Sequence, residues 1–209
     1  MTKVSKLRMI AGRVGAPVRA LVRRSPRLNA ALWDAQYALG FWGYLDEAGG
    51  GSVPLSLIEE WAPHPTILDL GCGTSANLAL PPGRYRHYHG VDISRRAIRT
   101  ARGLNRADAS YAVADIRGYV PPDRYDAILL REVIYYLSVD EAAELLGRLP
   151  GLLTPRGRIL VQIYDVQRSR QFVQVIQDCG LDVATWQAPG SGEDSPDAFF
   201  VLTPATVES

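Results

Sequence analysis

The sequence is poor in cysteine and lacks long apolar runs without charge. Its 209 residues include two cysteines, Cys72 and Cys179, which lie far apart and form neither a disulfide framework nor a metal-type pair. No apolar stretch approaches the roughly 18 residues of a membrane-spanning helix, and the N-terminus lacks the apolar segment of a signal peptide. These features predict a protein of the reducing cytoplasm without a transmembrane segment.

Acidic residues are absent from residues 1–28, where eight basic residues occur. Because the formal net charge of the chain is +1, the rest of the chain carries −7, so the basic charge is local and a general affinity for nucleic acid is not implied. We interpret 1–28 as an N-terminal arm. It is either loosely docked and solvated, or a contact for an anionic surface, an acidic substrate or another subunit. The ratio of 21 arginines to 2 lysines is typical of a GC-rich bacterial genome, which argues against a transit peptide.

Aromatic residues are concentrated just after the arm. Five of the chain's 18 aromatics fall within twelve positions, namely Trp33, Tyr37, Phe41, Trp42 and Tyr44. The spacing of four places Trp33, Tyr37 and Phe41 on one helix face. The 29–53 segment is therefore either a stripe that packs onto the domain or a lid that closes over a ligand, since a glycine run follows. An aromatic face suits a cation or the apolar face of a sugar ring.

A short apolar strand followed by a glycine turn organises the remaining chain. Thr66–Leu70 fits a strand that is covered on both faces. Gly71 and Gly73 then allow a tight turn and close approach of a ligand to the backbone. A helix-like segment at 76–80 follows, so backbone N–H groups are expected at the carboxyl end of the strand. This order predicts an α/β protein that binds its ligand at that edge of the sheet.

Acidic residues near successive strand ends discriminate between ligands. Asp69 lies just before the glycine turn, where a carboxylate disfavours an anionic pyrophosphate and suits an amine or a sulfonium. Asp92 ends the second predicted strand, 19 residues after Gly73, and is placed to accept hydrogen bonds from two ribose hydroxyls. Asp115 ends the third predicted strand. A nicotinamide-dependent reductase is therefore the disfavoured interpretation.

The block Ile67–Thr74 closely resembles the first motif of Rossmann-like, S-adenosylmethionine (SAM)-dependent methyltransferases, because the acid, both glycines and the flanking apolar residues match. The resemblance extends over about residues 54–203 and implies SAM as the cofactor. It implies a doubly wound, seven-stranded α/β sheet with one antiparallel strand in a core of residues 54–209, preceded by a helical lid at 29–53. In this family the position of Asp115 bonds the adenine amino group, and Ile116 packs on the ring. The predicted cofactor-binding residues are Asp69, Gly71, Cys72, Gly73, Asp92, Ile93, Asp115, Ile116 and Arg131.

The pattern of the core predicts strands that alternate with helices and end in a hairpin. Helices are expected at 53–61, 94–106, 138–149 and 167–179. Strands are expected at 66–70, 86–94, 110–116, 125–130, 159–163, 181–187 and 198–202. A turn is expected at Thr154–Arg158, just before the fifth strand.

A second motif follows the fourth predicted strand. Glu132–Leu137 resembles the Glu-Val-x-Tyr-Tyr-Leu pattern of nodulation-type sugar N-methyltransferases, and the Asn-Pro-Pro-Tyr motif of adenine- and amide-methylating enzymes is absent. The resemblance implies a hydroxyl or amine acceptor on a small polar molecule, with a sugar as the best candidate. We take Glu132, Tyr135 and Asp165 as candidate catalytic residues, with Glu132 as the first choice of base. The candidate substrate and lid residues are Trp33, Tyr37, Trp42, Tyr44 and Tyr136.

The sequence leaves four questions open. Glu132 and Asp165 are oxygen donors compatible with a divalent metal, but their spacing does not require one, and no metal site is predicted. An RNA or protein methyltransferase is an alternative that would use the basic arm and an arginine stripe at Arg95, Arg99, Arg102 and Arg106. A SAM-binding module without turnover is the alternative outside enzymes. An oligomer is compatible with each.

Overall fold

The computed structural model describes residues 25–40, 52–75, 83–186 and 198–205. Most of the predicted arm, the lid residues Phe41, Trp42 and Tyr44, the predicted helix at 76–80 and the connection between the last two predicted strands lie outside these residues.

Helix α1 spans Pro26–Ala38 and so crosses the predicted boundary between arm and lid at residue 28. Proline occupies its first turn, where the missing N–H is harmless, and the Ser25 side chain accepts a hydrogen bond from the Leu28 N–H. Trp33 and Tyr37 lie on this helix, as predicted.

Seven strands of the described residues form one sheet. They are β1 (Thr66–Leu70), β2 (His87–Asp92), β3 (Ala109–Val113), β4 (Tyr125–Arg131), β5 (Leu153–Ile163), β6 (Asp182–Trp186) and β7 (Ala198–Thr203). Their spatial order is β3-β2-β1-β4-β5-β7-β6. The first five strands in this order, β3, β2, β1, β4 and β5, are parallel to one another. Strand β7 is antiparallel to both β5 and β6. The predicted Rossmann-like sheet with one antiparallel strand is confirmed.

The register of the parallel strands aligns their carboxyl ends. Asp69 of β1 lies beside Gly90 of β2 and Leu129 of β4. Asp92 lies beside Val113 at the end of β3. Because all these strands end at the same edge, the turns that follow them come together there.

Helices cover both faces of the sheet and produce two apolar cores. They are α2 (Ser52–Glu59), α3 (Arg95–Gly103), α4 (Val139–Arg148) and α5 (Arg170–Gln177). Successive β1 residues face opposite ways, so Ile67 belongs to one core and Leu68 to the other, and both are fully buried. Each such side chain stabilises the fold by roughly 1.5–3 kcal/mol through burial. In the described part of the chain, no helix is long and apolar enough to span a membrane.

Two local predictions differ from the structure. The expected turn at Thr154–Arg158 is wrong, because strand β5 runs without a break from Leu153 to Ile163. Leu153 pairs with Tyr125 and Arg158 with Ala127, so an irregularity in the ladder takes up the extra residues. Strand β3 ends at Val113, which places Asp115 in the following turn and not at the strand end.

Candidate functional site

The glycine turn after β1 is held tightly against the end of β2. The backbone N–H groups of Gly71 and Cys72 both donate to the carbonyl of Val91, at 2.8 and 3.0 Å. Gly71 has a φ of +85°, and a Cβ at this position would lie 2.5 Å from Cγ2 of Val133. Glycine is therefore required here both for its conformation and for the close packing of the Val133 side chain.

Substituting Gly71 with alanine is expected to lower the free energy of unfolding by roughly 2–4 kcal/mol, through backbone strain and the clash with Val133. Gly180→Ala is the matched control, because Gly180 has a φ of +77° but no described atom within 4 Å of its Cβ. In the control, backbone strain alone should lower the free energy of unfolding, by roughly 1 kcal/mol. Chemical denaturation measures both changes, and equal losses would contradict the packing argument.

The Asp92 carboxylate connects the glycine turn to the start of α3. Its Oδ2 accepts from the Gly73 N–H at 2.9 Å and its Oδ1 from the Ser94 N–H at 2.8 Å. The residue is 8% exposed, and burial raises its pKa to about 6, with a further contribution from the charge of Asp34. Each oxygen retains acceptor capacity beyond its one backbone donor, so the carboxylate can accept hydrogen bonds from a ligand.

Asp69 is a second buried carboxylate at the same edge. Its Oδ2 accepts from the Tyr88 hydroxyl at 2.7 Å, whereas its Oδ1 has no hydrogen bond to any described residue. Burial raises the pKa of Asp69 to about 6, against the opposing effects of the Tyr88 hydroxyl and the Arg131 charge. A buried carboxylate oxygen without a donor is costly, and a ligand that carries an ammonium group would relieve this cost.

The remaining predicted cofactor residues differ in how they are engaged. Cys72 is buried, and burial raises the pKa of its thiol, so its backbone and not a thiolate is available to a ligand. Arg131 ends β4 and donates to Gln162 Oε1 at 3.0 Å. Ile93 is partly exposed directly after β2, and Ile116 is buried in one of the two cores.

Asp115 is already held by a neighbouring cation. The Nε of Arg117 donates to both of its carboxylate oxygens, at 2.9 and 3.0 Å, and the same guanidinium bonds Glu141 at 2.7 Å. Burial acts to raise the pKa of Asp115, but the hydrogen bonds from Arg117 outweigh it and lower the pKa below its ordinary value. An adenine amino group would therefore share this carboxylate with Arg117.

Helix α1 contacts three segments that border the site. The Trp33 ring meets the Tyr136 ring edge-on, with centroids 4.8 Å apart. The Tyr37 hydroxyl lies over the glycine turn, 2.7 Å from where a Cβ on Gly73 would be. Asp34 Oδ1 accepts from the Ser94 hydroxyl at 2.6 Å and from the Arg96 N–H at 3.0 Å. Trp33 and Tyr37 thus lie beside the predicted site, and this placement fits both a packed stripe and a lid.

Asp34 was not among the residues predicted from the sequence. It lies between the two predicted aromatics, and its partners are some 60 residues away, at the first turn of α3. A carboxylate at a helix N-terminus satisfies a free N–H and interacts favourably with the helix dipole. The neighbouring aromatic stripe was the only available signal, and it did not single out this residue.

Removing the Asp34 carboxylate is expected to release α1 from α3. In Asp34→Ala, amide hydrogen exchange of residues 26–38 should become faster by roughly fivefold, which corresponds to the loss of a helix-capping bond of about 1 kcal/mol. Asp34→Asn, which keeps an acceptor but not the charge, should lie between wild type and alanine. Unchanged exchange in the alanine variant would show that contacts other than those of Asp34 hold α1.

Glu132 has an unusual backbone conformation at the end of β4. Its φ is +56°, which is rare for a residue with a side chain and costs roughly 1 kcal/mol or more. The Glu132 N–H donates to the carbonyl of Gln162, and the Tyr135 hydroxyl donates to Glu132 Oε2 at 2.6 Å. The rings of Tyr135 and Tyr136 are 5.0 Å apart, so Glu132 is linked through them to Trp33. The structure thus brings together the predicted residues of this motif.

Asp165 has a local structural role after β5. Its Oδ1 accepts from the Arg168 N–H at 3.0 Å, and its backbone carbonyl accepts from the Ser169 N–H. Within the described ranges, no group of three or more His, Cys, Asp or Glu residues is arranged to hold a metal ion.

Part of the chain is similar to a known protein family. Residues 67–157, which contain the glycine turn, Asp92 and Glu132, match the family described as "Methyltransferase domain". No curated protein sequence matches the chain.

Solved structures share the fold at low sequence identity. The N-methyltransferase NodS of Bradyrhizobium japonicum, in complex with S-adenosylhomocysteine, is 18% identical, with a TM-score of 0.63 over 77% of this chain and 88% of that one. DesVI of Streptomyces venezuelae is 16% identical, with a TM-score of 0.63 over 81% and 97%. CalS10 of Micromonospora echinaspora, a SAM-bound amino pentose methyltransferase, is 14% identical, with a TM-score of 0.61 over 79% and 95%. The predicted resemblance to Rossmann-like methyltransferases is confirmed.

Proposed function

We propose that this chain, whose residues 67–157 match a methyltransferase domain family, is an enzyme that uses SAM to methylate a hydroxyl or amine of a small polar acceptor, with a sugar as the best candidate. The observation that carries this proposal is the pair of buried carboxylates, Asp69 and Asp92, on either side of a glycine turn. One of them has an oxygen without a described donor, and the other retains acceptor capacity.

The residues at this edge fit the polar groups of SAM. Asp69 would accept from the amino group, and Asp92 would accept from the ribose hydroxyls. Gly71, Cys72 and Gly73 would let the ligand approach the backbone. Ile93, Asp115 and Ile116 would border the adenine, and the charge of Arg131 would offset that of Asp69. When bound, SAM would supply a sulfonium methyl group for in-line displacement by an acceptor oxygen or nitrogen, and the broken carbon–sulfur bond would leave S-adenosylhomocysteine.

The acceptor side is formed by Glu132, Tyr135, Tyr136 and Trp33. Holding the acceptor in line is the main task of these residues, because correct orientation alone can supply roughly 7–11 kcal/mol. The two rings at Trp33 and Tyr136 offer apolar surface to a sugar ring. Glu132, with the Tyr135 hydroxyl on one oxygen, would take a proton from a hydroxyl or hold an amine.

The sugar acceptor rests on the Glu132–Leu137 motif, on the aromatic pair and on the neighbours, of which CalS10 is named as an amino pentose methyltransferase. An RNA or protein acceptor remains the alternative, and strong salt dependence of acceptor binding would favour it. A cytoplasmic location and an anionic contact for the arm also remain proposals.

Calorimetry with SAM and S-adenosylhomocysteine tests the cofactor, and we expect micromolar-range binding. Transfer of a labelled methyl group to amino sugars, with the corresponding hydroxyl sugars beside them, tests the acceptor and separates amine from hydroxyl. Folded protein that binds neither cofactor form would overturn the proposal. Tight cofactor binding without transfer to sugars, RNA or protein would favour a SAM-binding module.

A further inference from the structure

A chain of three buried polar groups lies behind the glycine turn. The Tyr88 hydroxyl donates to Asp69 Oδ2 at 2.7 Å and lies 3.1 Å from Ser75 Oγ. Because a tyrosine hydroxyl has one proton and here gives it to a carboxylate, the Ser75 hydroxyl must be the donor in the second bond. The bonds therefore run from Ser75 to Tyr88 to Asp69.

Tyr88 is an unexpected residue for its position in β2. It is 0% exposed, and the other largest fully buried side chains of the described residues are leucines and isoleucines. A tyrosine hydroxyl in such a core is tolerated only when it is hydrogen-bonded. Here both of its partners, Asp69 and Ser75, belong to the strand and turn that form the candidate cofactor site, at 1% and 0% exposure.

Ser75 links the network to the conformation of the turn. Its φ of +57° is rare for a residue other than glycine, and its N–H donates to the carbonyl of Cys72 at 3.0 Å. The hydrogen bond to Tyr88 therefore fixes the residue at which the glycine turn ends. One hydroxyl group positions both the carboxylate before the turn and the serine after it.

We propose that Tyr88 is a positioning residue for the cofactor, acting through the orientation and the charge of Asp69. The proposal rests on the proposed function, because it takes Asp69 as the group that meets the cationic part of SAM. Tyr88 itself does not need to touch the ligand.

The charges around Asp69 indicate what the loss of this hydroxyl would do. Burial raises the pKa of Asp69 to about 6, and Asp92 acts in the same direction, whereas the Tyr88 hydroxyl and the Arg131 charge oppose the rise. The neighbouring Cys72 thiol has a raised pKa and stays neutral. Without the Tyr88 hydroxyl, the pKa of Asp69 must rise further, and a larger fraction of the carboxyl groups is neutral near pH 7.

Tyr88→Phe removes only the hydroxyl, and Tyr85→Phe is its matched control. Tyr85 is also buried, and its hydroxyl donates to a carboxylate, that of Asp108, at 2.9 Å. The two substitutions therefore delete the same group and the same kind of bond, once at Asp69 and once at a carboxylate outside the candidate site.

The experiment measures S-adenosylhomocysteine affinity by calorimetry between pH 5.5 and 8.5. In wild type, affinity should fall as the pH drops through about 6. In Tyr88→Phe the midpoint should move up by about one pH unit, so that affinity is weaker by about twofold at pH 7 and by about eightfold at pH 5.5, and recovers towards pH 8.5. Tyr85→Phe should keep the wild-type midpoint. A Tyr88→Phe midpoint equal to that of wild type would overturn the proposal.

A second measurement does not depend on ligand binding. Carbon-13 NMR of the Asp69 carboxyl group, assigned with Asp69→Asn, gives its titration in the free protein. We expect the titration of Tyr88→Phe to be shifted up by about one unit and that of Tyr85→Phe to be unchanged. If wild type binds no cofactor, the proposed function fails, and this titration still decides whether Tyr88 controls Asp69. An unshifted titration would overturn the proposal.

Discussion

Replacing Asp92 with alanine is expected to weaken the binding of SAM and S-adenosylhomocysteine by roughly 100-fold or more. The carboxylate is placed to accept two ribose hydroxyls, and charge-assisted hydrogen bonds are worth roughly 1.5–3 kcal/mol each. The substitution also removes the acceptor of the Gly73 and Ser94 N–H groups, which loosens the turn. Calorimetry with both ligands measures the loss.

Asp126→Ala is the matched control for this substitution. Asp126 lies near the amino end of β4 and accepts from the Thr66 N–H at 2.9 Å and the Thr154 hydroxyl at 2.8 Å. It is thus a carboxylate that also holds backbone, at the opposite edge of the sheet. We expect Asp126→Ala to lower the melting temperature with little effect on affinity while the protein is folded. Equal losses of affinity in both variants would show that general destabilisation explains the Asp92 result.

The features of this protein that could be predicted from the sequence are those set by patterns of neighbouring residues. The strand and glycine turn at Ile67–Gly73 have an apolar run, an acid and two glycines within a few positions, and the structure places them as predicted. The position of Asp92 was predictable because neighbouring parallel strands end at the same edge of the sheet. A residue 19 positions after Gly73 therefore lies beside the glycine turn. Chain order and strand direction alone are sufficient for these inferences.

Contacts set by the packing of separate elements were not predictable from the sequence. Tyr88 reaches Asp69 because of the pairing register between β1 and β2, and a shift of one residue would turn its ring to the other face. Asp34 depends on how α1 lies against α3. The turn predicted at Thr154–Arg158 failed for a related reason. Proline and glycine are typical of turns, but pairing with β4 extends the strand through both.

Asp115 occupies the predicted motif position, but its hydrogen-bond partners were not predictable from the sequence. The residue was predicted to bind the adenine amino group, and the structure adds Arg117 on both of its carboxylate oxygens. Arg117 also bonds Glu141 of α4, whose side chain completes the capping box with Ser138. The adenine side of the site is thus connected to the start of α4, and this connection was not evident from the spacing of the acids.

Glu132→Gln is expected to lower kcat by roughly 10²- to 10⁴-fold for a hydroxyl acceptor, because glutamine keeps the shape of the side chain but cannot accept a proton. The affinity for S-adenosylhomocysteine should change little, since Glu132 lies on the acceptor side. A much smaller loss with an amine acceptor would indicate that Glu132 holds the acceptor and does not act as the base. Steady-state kinetics with both kinds of acceptor separate these outcomes.

Asp165→Asn distinguishes between the two candidate carboxylates. The Asp165 carboxylate already accepts from the Arg168 N–H, which asparagine can preserve through its oxygen, so we expect kcat to stay within about threefold of wild type. Glu132 differs because it combines a φ of +56° with a tyrosine hydroxyl on its carboxylate. Backbone strain of this kind persists where the surroundings enforce it, and it is concentrated at functional sites. A large loss in Asp165→Asn with an active Glu132→Gln would therefore move the base from the end of β4 to the end of β5.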